Sequence, residues 1–212
     1  MAQLMTTEHV TLQTARSGAI AEVSGRATLF LGAVSSALIA FAFVGQVSRT
    51  GTPFYAFGLV VFPVLLFLGV ATLERAVTTS IQTALYLREI NRIRRFYTEV
   101  APETGRYFIL STHDDEWDVG LRVHEVSMGW QAFLTTAGVI GVIDSVLAGA
   151  LTAFTLSLLL NAGLLLPITG GVAIFLLSVA LHQRYQVRQS RKAQRNVPIL
   201  FPAESESQNV VG

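Results

Sequence analysis

The chain contains no cysteine, so disulfides and thiolate metal sites are excluded outright. Charge is scarce as well: 14% of its 212 residues are Asp, Glu, Lys or Arg, against 51% hydrophobic, which is too little charge for a soluble domain of this size. Catalytic signatures are missing too. There is no G-x-S-x-G nucleophile elbow, no G-x-x-x-x-G-K-[ST] phosphate loop and no H-E-x-x-H zinc motif. An enzyme is therefore the least favoured class, and no cofactor or bound metal is expected.

The apolar residues are concentrated in uninterrupted runs separated by polar stretches. Residues 27–47 carry no charge, and at about 1.5 Å per residue they cross a hydrocarbon layer of roughly 30 Å. A second run, 55–73, follows a short loop with Gly51 and Pro53. The third begins near Trp130 and runs towards Asn161, with Asp144 as its only charge. Asn161, Ala162 and Gly163 then form a tight turn into a fourth run that ends near Leu181. Connections this short require antiparallel pairs. The expected fold is all-α: a polytopic membrane protein of four transmembrane helices in two antiparallel hairpins, with a cytoplasmic helical extension. Its parts are an amino-terminal cytoplasmic helix (1–26), hairpin 1 (27–73), a cytoplasmic helical segment with an acidic loop (74–129), hairpin 2 (130–183) and a basic, then disordered tail (184–212).

Lys and Arg beside a span stay on the cytoplasmic side. Arg16 and Arg26 precede the first run; Arg75, Arg88, Arg92, Arg94 and Arg95 follow the second; Arg184, Arg188, Arg191, Lys192 and Arg195 follow the fourth. Only Arg49 lies opposite. Both ends and the middle segment are thus expected in the cytoplasm of a bacterial plasma membrane, and any internal repeat is parallel rather than inverted. The amino terminus lacks the basic start of a cleaved signal and carries Glu8. From about Thr7 to Arg26 it reads as a helix continuing into the first span, with Glu22 and Arg26 spaced for an ion pair. The last residues, with Pro198, Pro202, Glu204 and Glu206, read as disordered.

Four features are candidates for function. Small residues recur every fourth position, at Thr28, Gly32, Ser36 and Ala40 in the first run and at Ala137, Gly141, Ser145 and Gly149 in the third. Such faces allow close helix approach in lipid, either within one chain or between copies around a pore. Asp144, beside Ser145, lies about two turns inside the third span, where a carboxylate costs about 2.5 to 3.5 kcal/mol; it must pair, protonate or face water. A ring of such carboxylates around an oligomer axis favours cations. Residues 74–98 contain neither Gly nor Pro and continue the second span as a helix, with Tyr86, Ile90, Ile93 and Tyr97 on one side and Arg88, Arg92 and Arg95 on another. That arginine face either stays solvated or meets a phosphate-bearing ligand, an acidic partner or the acidic stretch of the same chain. The acidic stretch runs from Ser111 to Asp118 and reads as a helix start capped by Thr112, with Asp115 at the capping-box position, or as that intramolecular partner. It lacks the Gly and distal Glu of a calcium loop. His113, His124 and His182 are scattered, and Trp117 and Trp130 read as interfacial anchors.

Three stretches, Ser24-Gly25-Arg26-Ala27-Thr28-Leu29-Phe30-Leu31-Gly32, Pro63-Val64-Leu65-Leu66-Phe67-Leu68-Gly69 and Ile90-Asn91-Arg92-Ile93-Arg94-Arg95-Phe96-Tyr97, resemble a group of four-span membrane proteins of actinomycete bacteria. The resemblance implies an architecture and brings no assigned reaction or ligand. The layout is also loosely similar to small membrane effectors of nucleotide-signalled antiphage systems, without a diagnostic motif of theirs. The leading expectation is a homo-oligomeric ion-conducting pore controlled by its cytoplasmic segment. The alternative is a non-conducting scaffold or sensor that binds an acidic or phosphate-bearing partner through Arg88, Arg92 and Arg95. The bilayer is an expected partner in both, and nucleic acid in neither.

Overall fold

The computed structural model describes residues 2–49, 51–115, 133–160 and 163–203. Among them there is no strand; the elements are α1 (Ala2–Ser48), α2 (Thr52–Val100), a short 3-10 helix (Pro102–Tyr107), α3 (Thr136–Leu159) and α4 (Leu165–Arg195). Four of these helices are long and apolar enough to cross a membrane.

The breaks fall where local chemistry puts them. No Pro precedes Pro53 in the chain, and α1 runs uninterrupted for 47 residues, about 70 Å of helix. It stops at Arg49, whose φ of 47° lies in the left-handed region. Pro53, in the first turn of α2, loses no hydrogen bond there because that turn has no intrahelical acceptor for its N–H. α2 continues through Pro63 and ends before Pro102, where Ala101 leaves the helical region at φ −141° and ψ 81°. α3 starts at Thr135, whose Oγ1 accepts a 3.0 Å bond from the Gly138 N–H. Gly163, at φ 62°, supplies the left-handed step before α4.

The expected continuations beyond the apolar runs are present in both long helices. Contacts between α1 and α2 begin beside their connection with the Phe41 and Phe54 rings, 4.4 Å apart. They pass through the 2.7 Å ion pair of Glu22 with Arg75 and a small cluster of Leu12, Ile90 and Ile93. They finish with the hydroxyls of Thr6 and Tyr97, 3.0 Å apart. Tyr86, Ile90, Ile93 and Tyr97, read as one helical side, are the side that packs on α1. Glu22 also bonds Arg26 at 3.0 Å, as its spacing suggested. Elsewhere α2 packs against α3, and α3 against α4, around a core that includes Val23, Phe30, Leu65, Leu73, Ile140 and Leu147. The outward faces of the apolar stretches are apolar as well: Leu29, Ile39, Phe67, Leu165 and Leu176 are each at least 60% exposed.

The two small-residue stripes, alike in sequence, are used differently. Ala137, Gly141, Ser145 and Gly149 are buried. A Cβ on Gly149 would lie 2.7 Å from the Gly171 carbonyl oxygen of α4, and one on Gly171 would lie 2.8 Å from that of Gly149. Backbone therefore meets backbone here, which only glycine permits. Thr28, Gly32 and Ser36 on α1 are exposed, and a Cβ at Gly18, Gly25 or Gly32 would meet nothing within 4 Å. Packing within the chain accounts for the α3 stripe and leaves the α1 stripe open.

Gly149→Ala should therefore destabilise the protein by about 1 to 3 kcal/mol through overpacking. Gly32→Ala should leave unfolding of the individual chain unchanged or slightly delayed. Unfolding of the detergent-solubilised chain by increasing denaturing detergent, followed by circular dichroism, separates the two.

Candidate functional site

Two polar assemblies stand out, one inside the apolar part of the bundle and one beyond it. The first centres on Asp144, 1% exposed, in the first half of α3. A Cβ at Gly69 of α2 would collide with Asp144 Oδ1, so the carboxylate rests directly on the α2 backbone, with Phe30 of α1 beside the same glycine. Asp144 Oδ2 lies 3.6 Å from His182 Nε2 on α4. The other ring nitrogen, Nδ1, is 3.1 Å from the Gly141 carbonyl oxygen and 3.1 Å from Ser145 Oγ. Ser145, fully buried, donates its hydroxyl to the same Gly141 carbonyl at 2.6 Å. Asp144 Oδ1 and the Nε2 of buried Gln186 have no hydrogen-bond partner among the described residues. One helical face of α4 continues the polar track: Tyr185 donates to Glu74 of α2, and Gln189 donates to the Tyr185 hydroxyl at 3.2 Å.

Asp144 and Ser145 thus come together inside one chain, against α2 and α4. The partner of Asp144 is His182 rather than a Ser or Thr hydroxyl of a neighbouring span. Sequence reading passed over His182 as one of several scattered histidines, and gave Gly69 and Gln186 no role. A signal was present: Asp144 and His182 lie at similar distances on either side of the turn that the sequence predicts at Asn161–Gly163, so pairing the two runs brings them close to level.

The second assembly is built on the arginine face of α2. Arg88 is 2% exposed and donates from Nη1 to the Val197 carbonyl at 3.1 Å. Asn91 donates to the His113 carbonyl at 2.8 Å. Arg92 Nε pairs with Asp114 Oδ2 at 2.7 Å, while its Nη2 donates to the Pro198 carbonyl at 2.6 Å. Arg95 pairs with Glu99 at 2.9 Å and stacks over the Phe201 ring. Asp114, with no exposed surface, also accepts the N–H groups of Leu200 and Phe201 at 3.1 and 2.8 Å, and its own N–H donates to the Phe201 carbonyl at 3.1 Å. Asp115 accepts from Ala203 N–H at 2.9 Å.

This clasp corrects two expectations. Residues 197–203, with Pro198 and Pro202, belong to the tail read as disordered, yet their backbone is bound to α2 and to Asp114 and Asp115. Prolines and a lack of apolar periodicity hid a segment that is held by its main chain. Residues 111–115 are not helical; Ser111 Oγ accepts from His113 N–H at 3.0 Å, and the two aspartates satisfy N–H groups of the distant tail. The arginine face therefore meets the acidic stretch of its own chain, one of the alternatives left open by the sequence. Glu116, Trp117, Asp118, His124, Trp130, Asn161, Ala162, Glu204 and Glu206 lie outside the described residues.

Burial pushes the Asp114 carboxyl upward, but the N–H groups of Phe201 and Leu200 together with Arg92 outweigh it, and the group titrates below its ordinary 3.8. A carboxyl lowered by docking holds the tail at neutral pH and lets it go as pH falls through the lowered value. Asp114→Ala should release residues 197–203 at every pH, raising the rate of proteolytic cleavage there about tenfold or more. Limited proteolysis of the solubilised protein, timed by mass spectrometry, checks this.

No protein-family model, curated protein or solved structure matches this chain, so its function has to be read from these two assemblies.

Proposed function

We propose that the chain spans a bacterial plasma membrane four times as two antiparallel hairpins, with both ends and the middle segment cytoplasmic. It assembles as a homo-oligomer and conducts ions under the control of its cytoplasmic part. The observation that carries this reading is the buried Asp144 beside His182 in an otherwise apolar stretch. An ionisable residue at such a depth is expensive and marks an ion or proton path by default.

Three further features fit. The exposed apolar belt suits lipid, and the basic residues gather at one end of the apolar stretches. The open Thr28, Gly32 and Ser36 face of α1 suits contact between copies, since small residues let helices approach closely in lipid. The clasp supplies a means of control. α4 carries His182 and leads directly into residues 197–203, which are tied to Arg88 and Arg92 of α2. An anion competing with Asp114 for Arg92 would loosen the end of the helix that completes the Asp144 site.

A second reading, a non-conducting sensor for an acidic or phosphate-bearing partner, is favoured by one other feature. Arg188, Arg191, Lys192 and Arg195 line an open cleft of about 390 Å³ on the last turns of α4, a concentration of positive charge suited to an anion.

Purified protein in liposomes should conduct ions, and Asp144→Asn should lower the flux about tenfold or change its selectivity. The mass of the solubilised particle, corrected for detergent by light scattering, should correspond to at least three chains, and Gly32→Leu should reduce it. A monomer without flux would leave the sensor reading, tested by anion capture before and after Arg188→Glu with Lys192→Glu.

A further inference from the structure

We propose that Asp144 and His182 together form a binding site for a single exchangeable proton, and that the proton is the ion this protein handles. The inference rests on the proposed function for the membrane setting, and on hydrogen-bond geometry for the site itself.

Ser145 uses its only hydroxyl hydrogen on the Gly141 carbonyl. His182 Nδ1, placed between that carbonyl and Ser145 Oγ, then faces two acceptor atoms and must carry a hydrogen. With Nδ1 protonated, Nε2 of a neutral ring presents a lone pair towards Asp144 Oδ2 at 3.6 Å. A carboxylate facing that lone pair would be two acceptors confronting each other in a buried site. One proton removes the conflict, either on Nε2 as an imidazolium or on the carboxyl as an acid. Transfer between the two atoms conserves charge and creates no other species, so the pair holds one proton in two arrangements.

The surroundings leave the proton as the counter-charge. α2 presents the bare backbone of Gly69 to the carboxylate, and α1 presents Phe30. α3 contributes neutral Ser145 on the far side of the His182 ring, and α4 places neutral Gln186 beside Gly141. The nearby acids are engaged elsewhere, Glu74 by Tyr185 and Glu22 by Arg26 and Arg75. Among the described residues no Lys or Arg pairs with Asp144. Asp144 Oδ1 and Gln186 Nε2 are buried without a hydrogen-bond partner among the described residues, so no donor other than the shared proton is seen to satisfy the carboxylate. The side chain of His182 is 18% exposed and forms the open edge of the site, continuous with the Tyr185 and Gln189 track.

The test is nitrogen NMR of histidine-labelled full-length protein in lipid nanodiscs, titrated with pH and assigned with His182→Gln. Wild-type His182 should keep hydrogen on Nδ1 and titrate at Nε2. Asp144→Asn should lower its midpoint by about one pH unit or more, because the opposing charge that favours the imidazolium is gone; Ser145→Ala should leave a titrating pair. If Asp144→Asn does not fold, the infrared band of a protonated carboxylic acid in wild type, moved by His182→Gln, gives the same information. An Nε2 signal that ignores pH, or a midpoint unmoved by Asp144→Asn, overturns the proposal. Flux is scored separately: a titrating pair in protein that carries no current would retire the pore and keep the proton site, whereas current without a titrating pair would do the reverse.

Discussion

A carboxylate enclosed by apolar helices dictates much of the packing around it. It cannot be left as an isolated charge, since burying an unpaired carboxylate among apolar side chains is costly, so neighbouring helices must bring it polar company without bringing bulk. Gly69 yields space for Asp144 Oδ1, and the Gly141 carbonyl accepts from Ser145 and lies 3.1 Å from His182 Nδ1. The close crossing of Gly149 and Gly171 further along α3 and α4 belongs to the same requirement. Helices that must share a small polar site have to run close together, and glycine lets their backbones do so.

α2 is the common element of both assemblies. Its apolar half carries the glycine against which Asp144 rests, and its polar half carries the arginines that hold the tail. α4 meets it twice, through the bundle and again through residues 197–203 beyond its end. Events at the clasp and at Asp144 therefore share two helices, the sort of mechanical connection through which a polar extension can influence a buried site. The clasp is mostly a main-chain affair: carbonyls of Val197 and Pro198 and N–H groups of Leu200 and Phe201 do the binding. On the tail's side such contacts depend on the backbone path and little on its own side chains, while Arg88, Arg92, Asp114 and Asp115 supply the side chains that hold it.

The α1 stripe shows why small residues alone do not reveal their use. Gly32 and Gly149 sit in the same four-residue rhythm, yet one faces open space and the other a neighbouring carbonyl. The difference lies in which way each helix is rotated about its axis. Phe30 of α1 and Ile140 and Leu147 of α3 are buried in the core, and which residues lie opposite them is not written in the stripe itself.

Sequence alone determined the four apolar helices, the continuation of α1 and α2 well past their apolar runs and the breaks at Gly51, Pro53 and Gly163. These follow from runs of hydrophobicity, backbone restrictions at proline and glycine, and helical spacing, all of which act within a few residues. It also singled out Asp144, because a lone charge in an apolar run is conspicuous. Only the tertiary structure decided that His182 is its neighbour, that Gly69 makes the space, that Asp114 turns to Arg92 and the tail instead of capping a helix, and that one small-residue face is covered while the other stays open. Those are meetings between residues far apart in the chain. They depend on how whole helices are rotated and set against each other, which is a property of the sum of their packing and is written in no single segment.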